Sequence, residues 1–474
     1  VHSLDSEHLI LVVVASLAAV FPLVVIPFAL CSGVSLKRFV FTGFGLFLIM
    51  FLLFVWSAPV LVLFEDGNVR PLITMIGALA AMMIGFAMLR NRRGVGFQQF
   101  ISRATSLRFG QRRCLCGLVG LYGFLVAIGL LYHGGVPKYY RIIGGFGGFQ
   151  SAYEVAGEVR DNRLALTKGH WFGQQYRGQG LFSEITKVGW KLASAIALIG
   201  LSCFGGMRWR AILGLIVITF LLFVGGTGER WPLVEVLICM LLVVSVVRRG
   251  IKVSTILLAA AAAVTFVSLI SLTTERGYEY MMSGQYDRLA ERLIHRIFIG
   301  NGVHDVQVIE IHDSGAWAHR AGMYHVEKFV SSFPGVRYGT PLGIKLTDYN
   351  FAPETTYSSG TYISMTYADF GLIGTWVVFL LLGCVVAMIE NRLWRIEKTV
   401  PKLALCCMVM FYMGQMYSNG IIGLMSSMFI VIVCFCVFMV SAVIGDKLFS
   451  SRDGRTRELP QPWSPRGQLG SNVG

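Results

Sequence analysis

Four groups of side chains have the types and spacing to do chemistry. The first is the run Gly225, Gly226, Thr227, Gly228, Glu229, Arg230, Trp231, Pro232. Its glycines let the backbone approach a ligand closely. Arg230 presents a planar fork that matches phosphate oxygens, and Glu229 either pairs with it or accepts a proton. The same residues also suit a plain tight turn with a snorkelling arginine and an interfacial tryptophan. Glu235 follows one turn later inside an apolar run, where a carboxylate needs a cavity or a partner.

The second group lies between Tyr286 and Ile299. Tyr286, Leu289, Ala290, Leu293, Ile294, Ile297 and Phe298 repeat at helical spacing. Arg288, Arg292 and Arg296 form a stripe on the opposite side, flanked by Glu291 and His295. This predicts an amphipathic helix on a bilayer surface, its arginines meeting either anionic lipid or a bound diphosphate. Asp287 and Glu291 partly neutralise the stripe.

The third group is His304, Asp305, His312, Asp313, His319, Arg320 and His325. Neighbours in sequence do not face each other on a helix, and the spacing of a two-histidine metal site is missing, so no metal is expected. A general base among them is chemically reasonable. The fourth group is aromatic. Phe333, Pro334, Gly335, Arg337, Tyr338 and Pro341 shape a loop. Tyr357, Tyr362 and the run Tyr367, Ala368, Asp369, Phe370, Gly371 follow. Aromatic rings with a few hydroxyls bind the apolar faces of sugars. An interfacial aromatic belt has the same composition.

The elements that must position these groups are apolar helices. The 474 residues are 55% hydrophobic and only 14% charged, against a globular norm of about 25% charged. Runs of about 20 apolar residues match helices crossing a bilayer, and barrel strands would be shorter and alternate. We expect an all-α polytopic membrane protein with about 11 spans. They fall near 9–31, 39–64, 71–89, 114–132, 189–206, 211–227, 231–247, 253–272, 360–389, 403–417 and 421–444. The membrane domain is then 1–449, with large loops at 133–188 and 273–359 and a disordered tail at 450–474 rich in Pro, Gly, Ser and Arg. No cleavable signal peptide is expected, because Asp5 and Glu7 precede a long first apolar run.

The net charge of +15 is distributed as in a membrane protein rather than a nucleic-acid binder. Lys37, Arg38, Arg90, Arg92, Arg93, Arg208, Arg210, Arg248, Arg249, Arg392 and Arg395 all fall in short loops on one side. That side is therefore cytoplasmic. Both long loops and all the histidines fall on the other side, which is where chemistry is expected. The cysteines lie in or beside apolar runs and read as membrane-core residues rather than as a disulfide frame or zinc site. Glu235 is the clearly intramembrane charge in this reading, with the others at interfaces.

The pattern resembles the Wzy family of O-antigen and related repeat-unit polymerases. Their Gly-Gly-Thr-type turn before a basic residue is matched by Gly225 to Arg230. Their basic helix ending in Arg-x-Phe is matched by Arg296, Ile297 and Phe298, and their Pro-Gly-x-Arg step by Pro334 to Arg337. An aromatic-acid-Phe-Gly-x-x-Gly element is matched by Tyr367 to Gly374. The resemblance implies a GT-C-like inner-membrane enzyme that joins undecaprenyl-diphosphate-linked oligosaccharides on the periplasmic face. It implies no cofactor, and a chain-length regulator as a possible partner beside membrane lipids. On this reading Arg230 and Arg296 stabilise the departing diphosphate. Arg288, Arg292 and Arg337 help to bind it, and Tyr338, Tyr357 and Tyr362 meet the sugars. Glu229, His295 or Asp369 serves as base. The alternatives are a glycan ligase, a lipid-linked glycan flippase and a non-catalytic membrane subunit. Related ligases carry a His-Asn pair ahead of the late span, where this chain has Tyr357, Ser358, Ser359 and Gly360. That favours the polymerase.

Overall fold

A computed structural model describes residues 42–90, 110–135, 179–227, 231–248, 300–331, 360–395 and 399–450, with isolated positions elsewhere. The regular structure among the described residues is entirely helical. We number the helices α1 Gly43–Phe54, α2 Ser57–Asp66, α3 Arg70–Leu89, α4 Gln111–His133, α5 Gln179–Phe204 and α6 Gly206–Phe223. They continue as α7 Trp231–Arg248, α8 Gly300–Asp313, α9 Met323–Ser331, α10 Tyr362–Arg395, α11 Val400–Gly414 and α12 Met416–Ser450.

Among the described residues, 7 helical stretches are long and apolar enough to cross a membrane: Gly43–Asp66, Arg70–Leu89, Gln111–His133, Leu181–Phe204, Gly206–Thr227, Tyr362–Leu393 and Gly420–Leu448. Helices α7 and α11 are shorter. The spans expected at 9–31 and 253–272 lie outside the described residues, apart from isolated helical positions.

Helix α5 is the axis of one half of the bundle. It packs against α4, α6, α7, α11 and α12. Trp190, Leu192, Ala193, Ala195, Ile196, Ala197 and Ile199 on it are fully buried. A helix shielded from lipid on so many sides can carry polar groups that a lipid-facing helix cannot. Lys191 is one of them, at 2% exposure. The sequence reading started this span at 189, which left Lys191 at an interface. The helix starts at Gln179, about 15 Å further out at 1.5 Å per residue, so Lys191 is interior.

The other half is built on α3 against α10, with α8 laid across both. The α3–α10 seam is closed by glycines. A Cβ on Gly85 would overlap the Leu380 carbonyl oxygen, and one on Gly383 would overlap that of Met82. Small residues let backbones approach this closely where no hydrophobic force separates helix from lipid. Gly85→Ile should therefore force the two helices apart and lower stability by about 1–3 kcal/mol or more. Denaturation in mixed micelles would measure it, and wild-type stability would show the seam to be looser than described.

Both long helices break at the same end of the bundle. In α10, Gly371 has φ 67 and ψ −165, and in α12, Gly420 has φ 62 and ψ −158. L-residues rarely adopt these angles, so glycine is required at the two kinks.

Candidate active site

The kink at Gly371 interrupts the hydrogen-bond ladder of α10 and frees carbonyls that hydrocarbon would not satisfy. The turn before α9 satisfies them. The Arg320 amide donates to the Ala368 carbonyl at 3.2 Å and the Ala321 amide to the Asp369 carbonyl at 2.9 Å. Ala321 takes a positive φ of 49° to do so.

This docking puts the first turn of α9 over the Asp369 side chain. Asp369 Oδ1 accepts from the Tyr324 amide at 3.0 Å, and Oδ2 accepts from the His325 amide at 3.0 Å. The carboxylate therefore caps α9 from another helix and sits where the helix dipole favours negative charge. The local N-cap is Gly322, which accepts from Val326 and has no side chain to do the job.

Oδ2 also meets His325 Nδ1 at 2.5 Å. Facing an ionised carboxylate, which only accepts, Nδ1 donates, and in the neutral ring the lone pair then lies on Nε2. Nε2 is buried with no hydrogen-bond partner among the described residues. Tyr362 stands edge-on to the His325 ring at 5.4 Å and Phe370 lies tilted at 5.5 Å. Tyr362 is itself wedged against Gly420, where a Cβ would overlap its ring. The two helix kinks thus hold the two sides of one Asp–His dyad.

A second histidine pair adjoins it. His312 on α8 is buried, stacked on His319 at 4.9 Å and 8°, with Trp317 edge-on at 5.9 Å. Burial pushes the His312 pKa down, and the neighbouring His319 adds to that. His319 in turn stands edge-on to Tyr367 at 5.9 Å. The Tyr367 hydroxyl donates to Asp313, which also meets Arg70 Nε at 3.3 Å.

Of the sequence-predicted site residues, Asp369 and Tyr362 are in this cluster. Tyr362 is buried and supports the His325 ring rather than offering an open sugar-binding face. Arg288 is described and exposed. Glu229, Arg230, Arg292, His295, Arg296, Arg337, Tyr338 and Tyr357 lie outside the described residues. His325, His319 and His312 were singled out in the sequence as a loose group, and the fold gathers them around Asp369.

His304 and Asp305 diverge, as neighbours on a helix must. Asp305 is fully buried and accepts from the Thr361 amide and hydroxyl, each at 2.7 Å, which ties α8 to the start of α10. Burial pushes its carboxyl from 3.8 up to about 6, although the Thr361 bonds pull the other way. A folded pKa above the unfolded one means stability is present at low pH and lost as pH rises through about 4 to about 6. Asp305→Asn removes the charge and keeps an acceptor, so it should stay within about 1 kcal/mol of wild type at pH 7 and flatten that slope. Asp305→Ala strands the buried Thr361 amide and should cost about 1–3 kcal/mol. Unfolding at pH 5 and pH 7.5 separates the two; equal losses would show that the acceptor is unimportant.

Glu235, expected from sequence to need a partner, has two. Lys191 and Gln415 both donate to its carboxylate. Gln415 sits at the break between α11 and α12, five residues before the Gly420 kink. No family model, curated protein or solved structure matches the chain.

Proposed function

We propose that this chain is a membrane glycosyltransferase that polymerises undecaprenyl-diphosphate-linked oligosaccharide repeat units on the periplasmic face of a bacterial inner membrane. The observation that carries the reading is the Asp369–His325 dyad. It lies at the end of the bundle remote from the basic loops, with a buried proton acceptor left unpaired among the described residues. Glycosyl transfer to a hydroxyl needs such a base.

In the reaction, the acceptor hydroxyl oxygen attacks the anomeric carbon of the donor glycan and gives its proton to His325 Nε2. The bond from that carbon to the lipid diphosphate breaks, and its electron pair leaves with the diphosphate oxygen. Asp369 stabilises the imidazolium that results and holds the ring in the receptive tautomer. Arg230 and Arg296 meet the charge that grows on the leaving group, supported by Arg288, Arg292 and Arg337. Such groups accelerate the step when they bind the departing diphosphate more tightly than the ester. The base assigned here is therefore His325, with Asp369 acting through it.

A glycan ligase would use the same donor chemistry, and a histidine beside the late span suits it too. Complementation separates the readings. Wild type, Arg230→Ala and Arg296→Ala are expressed in a polymerase-deletion strain and the surface glycan is run on a gel. A wild-type ladder that collapses to single units in both variants supports the polymerase. Single units from wild type sink it, and full ladders from both variants sink the arginine roles.

A further inference from the structure

Helix α9 is inside out for a helix in water. Its outward face is apolar: Met323 is 37% exposed, Val326 46% and Phe329 41%. Its buried face carries Tyr324 and Glu327, and Lys328 stands half-buried beside them. Arg320 meets Glu327 at 2.8 Å and lies over the Tyr324 ring at 4.6 Å. A soluble surface rarely gathers large apolar groups on one helix face while burying its charges.

The depth of α9 follows from α10. The apolar stretch Tyr362–Leu393 has 32 residues, about 48 Å at 1.5 Å per residue, more than the hydrocarbon core of about 30 Å needs. Arg392 and Arg395 fix its inner end. Counting back about 20 residues from Arg392 reaches the Gly371 kink, which is where α9 docks. From the kink inward α10 shows a continuous outward stripe that starts at Phe370 and runs through Ile373, Val377 and Leu381, all exposed. Phe370 is also where α9 begins: a Cβ on Gly322 would lie 3.3 Å from its ring. The apolar face of α9 therefore continues the lipid-facing stripe of a membrane-spanning helix.

We infer that α9 is a membrane-inserted helix whose Met323, Val326 and Phe329 face is covered by acyl chains of the adjacent leaflet. Its amphipathic face is turned to lipid, as in helices that lie at the acyl–headgroup boundary. The inference rests on exposure and depth and is independent of the polymerase reading. Combined with that reading, it sets His325 at headgroup level, where a lipid-tethered sugar comes beside the ring without its tail leaving the bilayer.

The test uses the full chain with benzoylphenylalanine at position 326, reconstituted in nanodiscs of phosphatidylethanolamine and phosphatidylglycerol and irradiated. Position 373 is the lipid-facing reference, and position 66, the exposed carboxylate at the end of α2, is the aqueous one. Mass spectrometry should find phospholipid adducts at 326 in a yield comparable with 373, and none at 66. A crosslink from 326 to a second copy or to another segment of this chain overturns the inference. So does an unreacted 326 beside a lipid-labelled 373. If 373 takes no lipid either, the α10 stripe is not lipid-facing and the inference falls with it. None of these outcomes depends on glycan polymerisation, so loss of one reading leaves the other standing.

Discussion

Lys191→Met should destabilise the bundle by about 3–5 kcal/mol, and adding Glu235→Leu to it should restore most of that loss. The side chains of Lys191 and Glu235 are 3% and 10% exposed. Lys191 Nζ donates to Glu235, lies 3.5 Å from the Tyr412 hydroxyl, and faces the rings of Phe411 and Tyr412 at 5.3 and 5.4 Å. Met preserves the packing of the lysine stem against those rings and removes only the charge. Glu235 then keeps Gln415 and loses its counter-ion within the bundle. The loss measures an uncompensated carboxylate, not the net worth of the pair, because both charges left water to form it. The double variant removes both and leaves apolar side chains among apolar neighbours. Denaturation of the purified protein in mixed micelles is the measurement. If single and double variants unfold alike, the pair is not the unit that the geometry makes it.

The pair also shows where the sequence was legible and where it was not. Apolar runs of membrane length fixed the class, because lipid leaves the backbone few options. Charges in short loops gave an expected orientation. Glu235 drew notice because a carboxylate in an apolar run has few neighbours to disguise it. Lys191 did not, since the polar residues around it from Ser183 to Ser194 made the span seem to begin later. Its counterpart lies 44 residues away, a separation that no local pattern encodes.

The kinks were illegible for a different reason. Gly371 and Gly420 are two of 54 glycines, and only a left-handed angle inside a helix distinguishes them. The Asp369–His325 contact spans another 44 residues. A signal was present all the same. Asp369 stands at the head of an apolar run, and a carboxylate there must be met by a base, an arginine or a helix N-terminus. The structure supplies two of these in one stroke, by docking the N-terminus of α9 with its own histidine.

That double engagement makes Asp369 and His325 separable by experiment. His325→Ala leaves Asp369 its cap on α9 through the two backbone amides, so the protein should fold and insert normally. Under the proposed mechanism its transfer rate should fall about 10²- to 10⁴-fold, the usual contribution of a positioned general base. Added imidazole should recover part of the rate. Asp369→Asn is the sharper variant. With its carbonyl oxygen kept on the Tyr324 amide, its NH₂ replaces the oxygen that accepted from both the His325 amide and Nδ1, so one cap bond is lost and the NH₂ can only donate to Nδ1. That moves the ring proton to Nε2 and fills the acceptor that the reaction needs. The rate should fall nearly as far as in His325→Ala, and imidazole should not rescue it while the mis-set ring still occupies the site. Polymerisation of a purified lipid-linked repeat unit, read as ladder length against time, distinguishes the cases. A full ladder from His325→Ala removes the base. A full ladder from Asp369→Asn beside an inactive His325→Ala removes the tautomer lock and reduces Asp369 to a helix cap that works with the Tyr324 bond alone.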